Sequence, residues 1–205
     1  MAQLILFNKP FGVISQFSPS GDKPTLKDWI KQASIYPAGR LDTDSEGLLL
    51  LTDDGVLQKR IADPQHKLPK TYWAEVEGVP TEPDLIAFQH GINLGDFITC
   101  PAMVHRMPLP VSLWPRIPPV RFRHHIPTSW LEIILREGKN RQVRRMTAKI
   151  GFPTLRLLRV AIGPWVLGDL TPGEWRAVEA STASNDIDQF FQAQAKNNKN
   201  HRVSP

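Results

Sequence analysis

Gly39-Arg40-Leu41-Asp42-Thr43-Asp44-Ser45-Glu46-Gly47-Leu48-Leu49-Leu50-Leu51-Thr52 is a short polar loop that runs straight into an apolar run. Gly47–Thr52 is apolar almost without interruption, which predicts a strand covered on both faces. Asp42 therefore stands at the edge of a rigid element, where a charged side chain can be held in place for chemistry. Taken alone, an Asp in a Gly-containing loop is more often a turn residue or a cap. Asp44, Ser45 and Glu46 read as loop polar residues.

Outward from this stretch, strands and helices alternate. Gln3–Phe7 reads as a first strand, followed by a turn through Asn8-Lys9-Pro10-Phe11-Gly12. Thr25–Gln32 reads as a helix, with Thr25 as cap and Leu26, Trp29 and Ile30 on one face. Thr52-Asp53-Asp54-Gly55 supplies capping oxygens for a helix over Gly55–Ala62, ended by Asp63-Pro64. Lys70–Gly78 alternates Tyr72, Ala74 and Val76 against Trp73, Glu75 and Glu77, as a half-exposed strand does. Thr81–His90 is a short helix, Thr128–Arg136 a strand and Asn140–Ile150 a helix ended by Gly151. Thr154–Val160 and Glu174–Val178 complete the strands. This order predicts an α+β domain with one mixed or antiparallel sheet.

The chain has 205 residues, enough for one large domain with a real core, and one cysteine, Cys100, so no disulfide forms within it. The N-terminal apolar run Leu4-Ile5-Leu6-Phe7 is too short for a signal peptide, and no stretch approaches the ~20 apolar residues of a membrane helix. A cytoplasmic monomer is expected. The net charge of +5 is unevenly spread. Arg136, Lys139, Arg141, Arg144, Arg145, Lys149, Arg156 and Arg159 face only Glu137, a local excess of +7. Such a field suits a polyphosphate partner, although a basic run is also what a solvated helix face looks like.

Two segments break the pattern. His105–Pro127 holds six prolines, four arginines (Arg106, Arg116, Arg121 and Arg123), three histidines and no acid. It reads as an extended surface insert between two strands. Residues 181–205 are polar and repetitive, and read as a disordered tail after a domain over 1–180.

Three constellations carry possible chemistry. Asp42 is the first. Lys70-Thr71-Tyr72 is the second: Tyr72 is either a core aromatic or a platform on which an extruded base stacks, its phenol able to exchange a proton. Glu137-Gly138-Lys139-Asn140-Arg141-Gln142-Val143-Arg144-Arg145-Met146 is the third. Here a strand ends and a helix opens with Asn140 near its cap, a place suited to phosphate or to a packed basic helix. Arg144 borders the apolar face, from which it could pair with a buried carboxylate. No histidine or cysteine falls at a metal-ligand spacing, and there is no P-loop and no G-x-G-x-x-G.

In order and spacing these three blocks resemble the RsuA-type branch of pseudouridine synthases. The likeness continues through Gly151-Phe152-Pro153-Thr154-Leu155-Arg156-Leu157 and Arg159 to Ile162-Gly163, and so covers roughly residues 3–178. The insert, with Leu113-Trp114-Pro115-Arg116 and Ile126-Pro127-Thr128-Ser129-Trp130-Leu131, resembles the RluE subgroup, which acts on 23S ribosomal RNA. The resemblance implies the pseudouridine synthase catalytic fold: a mixed, mostly antiparallel sheet flanked by helices, with the active-site cleft across the sheet. It implies Asp42 as the catalytic aspartate, Tyr72 stacked on a flipped uracil, Arg144 paired with Asp42, and Leu157 in the wall below the base. Arg40, Lys70, Lys139, Asn140 and Arg141 are the further substrate-binding candidates. No metal and no organic cofactor are implied, and the partner is 23S ribosomal RNA or a pre-ribosomal particle. Many relatives carry an S4-type RNA-binding module; with the first core strand starting by residue 3, none is expected here. The alternative is a non-catalytic rRNA-binding or ribosome-assembly factor on the same scaffold.

Overall fold

The computed structural model describes residues 2–62, 68–111, 113–120 and 125–200, the last four as main chain alone. Among these, nine strands form one sheet: β1 (Gln3–Lys9), β2 (Tyr36–Pro37), β3 (Glu46–Thr52), β4 (Lys70–Glu77), β5 (Met103–Met107), β6 (Thr128–Leu135), β7 (Thr154–Ile162), β8 (Trp165–Val166) and β9 (Trp175–Glu179). The helices are α1 (Gly55–Ala62), α2 (Glu82–His90), α3 (Gln142–Lys149) and α4 (Ala180–Asn200). The main path runs β5-β6-β4-β7-β3-β1-β9, with β2 beside β3 and β8 beside β7. The β3–β7 pair is parallel and the other pairs are antiparallel, so the expected mixed α+β sheet is what the chain forms.

The continuous apolar run at β3 is explained by burial on both faces. Leu49 and Leu51 join Ile5 and Phe7 in a cluster with Tyr72, Ala74, Val143, Met146 and Leu157. Leu48 and Leu50 join Leu4 and Leu6 in a second cluster under α1 and α4, with Leu57, Ile61, Ala183 and Ile187. Alternate residues of the same two strands feed the two cores, as the two-residue period of a strand requires.

Only a short parallel pairing joins β3 to β7: Glu46 opposite Leu158 and Gly47 opposite Arg159. Gly47 has φ +99°, and a Cβ there would stand 2.3 Å from the Arg159 carbonyl oxygen. The glycine is needed for both backbone conformation and close approach.

Three expectations change. Thr25–Gln32 is not a helix; only a 3-10 turn forms at Leu26–Asp28. Its own bonds close one turn, Trp29 and Ile30 N–H both donating to the Leu26 carbonyl, while the Leu26 N–H donates sideways to the Gln16 carbonyl. The insert does not begin at His105, because His105–Met107 belong to edge strand β5, paired with β6. Nor are residues 181–200 a disordered tail. They continue α4, with Ala183 and Ile187 fully buried and Phe190 and Phe191 against the same core. Arg60 ties this helix to α1 through Asp188 at 2.6 Å. The polar composition misled because few apolar residues suffice when they share one helix face. Residues 201–205 lie outside the described residues.

Two stability measurements check this account. Gly47→Ala is expected to lower unfolding free energy by at least about 2 kcal/mol, from the left-handed backbone plus the clash. Ile187→Ala is expected to cost about 2–4 kcal/mol in denaturant titration; a tail that did not pack would leave the midpoint unchanged.

Candidate active site

The loop before β3 is held from four directions. The Ser15 hydroxyl donates to the Leu41 carbonyl at 2.6 Å and accepts from the Leu41 N–H at 3.2 Å. Gly12 N–H donates to the Thr43 carbonyl at 2.8 Å. Arg159 Nε donates to the Leu48 carbonyl at 2.8 Å, and its Nη1 reaches the Arg40 carbonyl at 3.4 Å. Arg144 Nη2 donates to the Asp44 carbonyl at 2.7 Å. Asp42 is thus flanked by fixed main chain on both sides, while its side chain stays about a third exposed (34%). That combination of a rigid backbone and an accessible carboxylate suits a reacting group.

Leu41, the residue before Asp42, belongs to one buried cluster with Tyr72, Val143 and Leu157. Tyr72 sits where the β4–β7 register slips, between Thr71 opposite Ala161 and Tyr72 opposite Arg159. Bulges of this kind commonly re-aim a side chain near a site. Leu157 lies opposite Ala74, the next same-face residue of β4. Tyr72 and Leu157 lie in the same buried cluster as Leu41, the chain neighbour of Asp42.

The arginine partnership differs from expectation. Arg144 does not ion-pair with Asp42; its Nε lies 3.4 Å from Asp44 Oδ2, and its Nη1 donates to the Thr154 carbonyl at 3.1 Å. The cation on Asp42 is Arg141, at 3.9 Å, and Arg141 also grips Asp44 with two hydrogen bonds of 3.0 and 2.8 Å. Burial pushes the Asp44 carboxyl up, but the Arg141 hydrogen bond and the charges of Arg144 and Arg141 outweigh it and hold the group below the usual carboxylate range. Arg141 adopts the left-handed conformation (φ 48°, ψ 31°) at the start of α3, so α3 opens at Gln142 rather than at Asn140. Such backbone strain is typical of residues at working sites. Ahead of the helix, Lys139 N–H donates to Gln142 Oε1 at 3.0 Å.

The basic field is smaller than the sequence suggests, because β7 turns two of its members inward. Arg156 and Arg159 are buried. Arg156 makes a two-pronged pair with Glu46, both contacts at 2.9 Å, between side chains only 5% and 2% exposed. Arg145 pairs with Asp96, and the Lys139 ammonium sits 3.7 Å over the Phe97 ring. The outward-facing remainder is Arg136, Lys139, Arg141, Lys149 and part of Arg145, beside exposed Arg40 and Asn140. Arg121, Arg123 and His124 of the insert lie outside the described residues.

Lys9 was read only as part of a turn. It is fully buried, and its Nζ donates to the carbonyls of Pro10 and Val13 at 2.9 and 2.8 Å. Burial, against the pull of Glu46 and helped by the push of Arg159, lowers its pKa to about 7; Asp44 and Asp42 also act on it. The one available signal was Lys9-Pro10 directly after an apolar strand, which does not distinguish a turn from a buried amine. Lys70, at the start of β4, is lowered to about 8 by burial and by Arg159.

The family model for RNA pseudouridylate synthase matches residues 3–149, from β1 through α3. The chain belongs to that family and is an RNA pseudouridine synthase. It is 56% identical over 179 residues to the ribosomal large subunit pseudouridine synthase E of Xanthomonas campestris pv. campestris, across 86% of this chain and 96% of that protein. It is 52% identical over 177 residues to the protein of the same name in Vibrio parahaemolyticus, across 86% and 74%. A solved pseudouridylate synthase superposes with TM-score 0.74 at 29% identity, over 93% of this chain and 74% of that one.

The Lys9 assignment has a direct check. A carbon-13 label on lysine Cε should show one resonance, lost in Lys9→Met, that titrates near pH 7. The folded pKa lies below the unfolded one, so between about pH 7 and 10.5 the unfolded chain holds more protons. The Lys9 contribution to stability therefore rises with pH across that window. A Lys9→Met variant should show a flatter stability profile there.

Proposed function

We propose that the protein isomerises a uridine to pseudouridine in large-subunit (23S) ribosomal RNA, free or in a pre-ribosomal particle. Family membership supports the reaction class. The substrate class is supported by the names of relatives that share more than half of their aligned residues with this chain. The observation that supports the residue roles is the rigidly held, accessible Asp42, whose neighbour Leu41 shares a buried cluster with Tyr72 and Leu157.

The reaction breaks the C1′–N1 bond, turns the uracil and joins C5 to C1′; a proton leaves C5 and one is gained at N1. Asp42 supplies the carboxylate that drives bond breaking. Tyr72 stacks on the extruded uracil, and its phenol takes the C5 proton. Leu157 and Val143 keep the detached base in an apolar slot, so it does not escape to water. Arg141 and Arg144 serve the carboxylate loop: Arg141 faces Asp42 and Asp44, and Arg144 clamps Asp44 and the start of β7. Arg40, Lys139, Asn140, Arg145 and Lys149 form the outer grip on the RNA backbone, and Lys70 stands at the head of the Tyr72 strand.

Two measurements test this. Asp42→Asn is expected to bind 23S RNA yet form no pseudouridine on mapping; turnover in that variant would overturn the assignment. With three to five outward cations engaged, RNA affinity should fall with a log–log salt slope of about −2 to −4. A flat response would remove the basic surface as the grip.

A further inference from the structure

The stretch Leu113–Val120 of the insert is tied to the catalytic loop at two points, and both involve side chains that the reaction as described does not use. The first is Trp114. Its indole N–H donates to Glu46 Oε1 at 2.8 Å, while Arg156 Nη1 donates to the Trp114 carbonyl at 3.0 Å. The buried Glu46–Arg156 pair thus holds the insert through side chain and main chain together, and the Arg156 guanidinium lies 5.8 Å from the Trp114 ring centre. Glu46 is the first residue of β3, four positions after Asp42. Separating one member of such a buried pair is strongly unfavourable, so the anchor is firm.

The second point is Arg116, two residues on. Its guanidinium lies 4.4 Å over the Phe11 ring. Nε donates to the Pro118 carbonyl and Nη2 to the Pro119 carbonyl, each at 2.8 Å. Phe11 precedes Gly12, whose N–H holds the Thr43 carbonyl of the catalytic loop. Arg116 also lies within electrostatic reach of Asp44, Glu46, Glu75, Arg156 and Arg144. Among the described residues no carboxylate forms an ion pair with it. Two of its five N–H donors are used by main-chain carbonyls, and about three remain. Arg145 and Arg141, by contrast, each close a direct ion pair, with Asp96 and Asp44. A planar cation that is stacked, braced and in no direct ion pair has already met the ordering cost of gripping a phosphate.

We propose that Trp114 and Arg116 form a strap in which Trp114, locked by the Glu46–Arg156 pair, positions Arg116 as a phosphate ligand for the RNA strand entering beside Asp42. Arg116 touches the substrate; Trp114 acts through it. The inference rests on the functional reading above for the identity of the RNA, but its geometry does not depend on which uridine reacts.

The test uses the full chain, a 23S RNA transcript, equilibrium binding over a salt series and steady-state kinetics. Arg116→Ala is expected to raise KM and Kd roughly tenfold, to affect KM more than kcat, and to make the log–log salt slope shallower by about one contact. Arg116→Lys should restore the slope, because the charge returns, and only part of the affinity, because the planar fork does not. Trp114→Phe keeps an aromatic ring but loses the N–H to Glu46. It should change slope and KM in the same direction, and the double variant should be no weaker than Arg116→Ala alone. An unchanged slope in Arg116→Ala overturns the strap, as does additivity in the double variant. A Trp114→Phe chain that melts earlier but keeps the parental slope makes Trp114 merely structural and also overturns it. A parent chain that binds the RNA but isomerises no uridine would sink the functional reading, while the slope comparison would still decide the strap.

Discussion

The halves of the sheet meet where Gly47 lies against Arg159. One half is β1, β2, β3 and β9, under α1 and α4; the other is β4 to β8 with α2 and α3. The joint has two residue pairs, Glu46 with Leu158 and Gly47 with Arg159, and permits no side chain at position 47. Its closeness also lets the Arg159 side chain span the loop, from the Leu48 carbonyl back toward the Arg40 carbonyl. The carboxylate of Asp42 is therefore mounted beside the seam of the sheet, four residues before Glu46, the first residue of the joint. A loop elsewhere on the sheet would have one half to brace it; this one is braced by Ser15 and Gly12 from one side and by Arg144 and Arg159 from the other.

Charge in this protein does two jobs that composition cannot separate. Arg144, Arg156 and Arg159 are struts: each donates to main-chain carbonyls, and Arg156 closes on Glu46 with both prongs. Guanidinium suits this because its planar set of donors can satisfy several acceptors at once in a region poor in water. Buried ions are held at a desolvation cost, and here that cost maintains the geometry of the loop rather than adding to overall stability. Arg136, Lys139 and Lys149 stay outside, where the field of a surface charge is long-range and sensitive to salt. Lys9 belongs to neither group. It is an amine enclosed by carbonyls, with its pKa lowered by burial to about 7.

Much of the fold was legible because its signals are local. The Leu48–Leu51 run, the alternation of Tyr72, Ala74 and Val76 against Trp73, Glu75 and Glu77, and the Gly151 stop after α3 each reflect a backbone period or a φ angle that neighbours in sequence impose. The failures were places where contacts between distant segments set the outcome. Leu26–Asp28 is a single turn whose first N–H donates to the distant Gln16 carbonyl, and α4 formed because a core was waiting for Ile187 and Phe190.

Sequence by itself determined the class of chemistry. It located one carboxylate at a strand edge, one tyrosine on a strand face and one basic helix start, in an order specific enough to imply a family. Only the tertiary structure decided which charges meet. Asp42 and Asp44 are two residues apart, and Arg141 and Arg144 three, so spacing alone cannot match arginine to aspartate. The left-handed turn at Arg141 swings that side chain across both carboxylates, while α3 directs Arg144 onto Asp44 and Thr154. Ion pairs depend on distances of a few ångströms between segments a hundred residues apart. Nothing but the packing of β3, β7 and α3 against one another sets those distances.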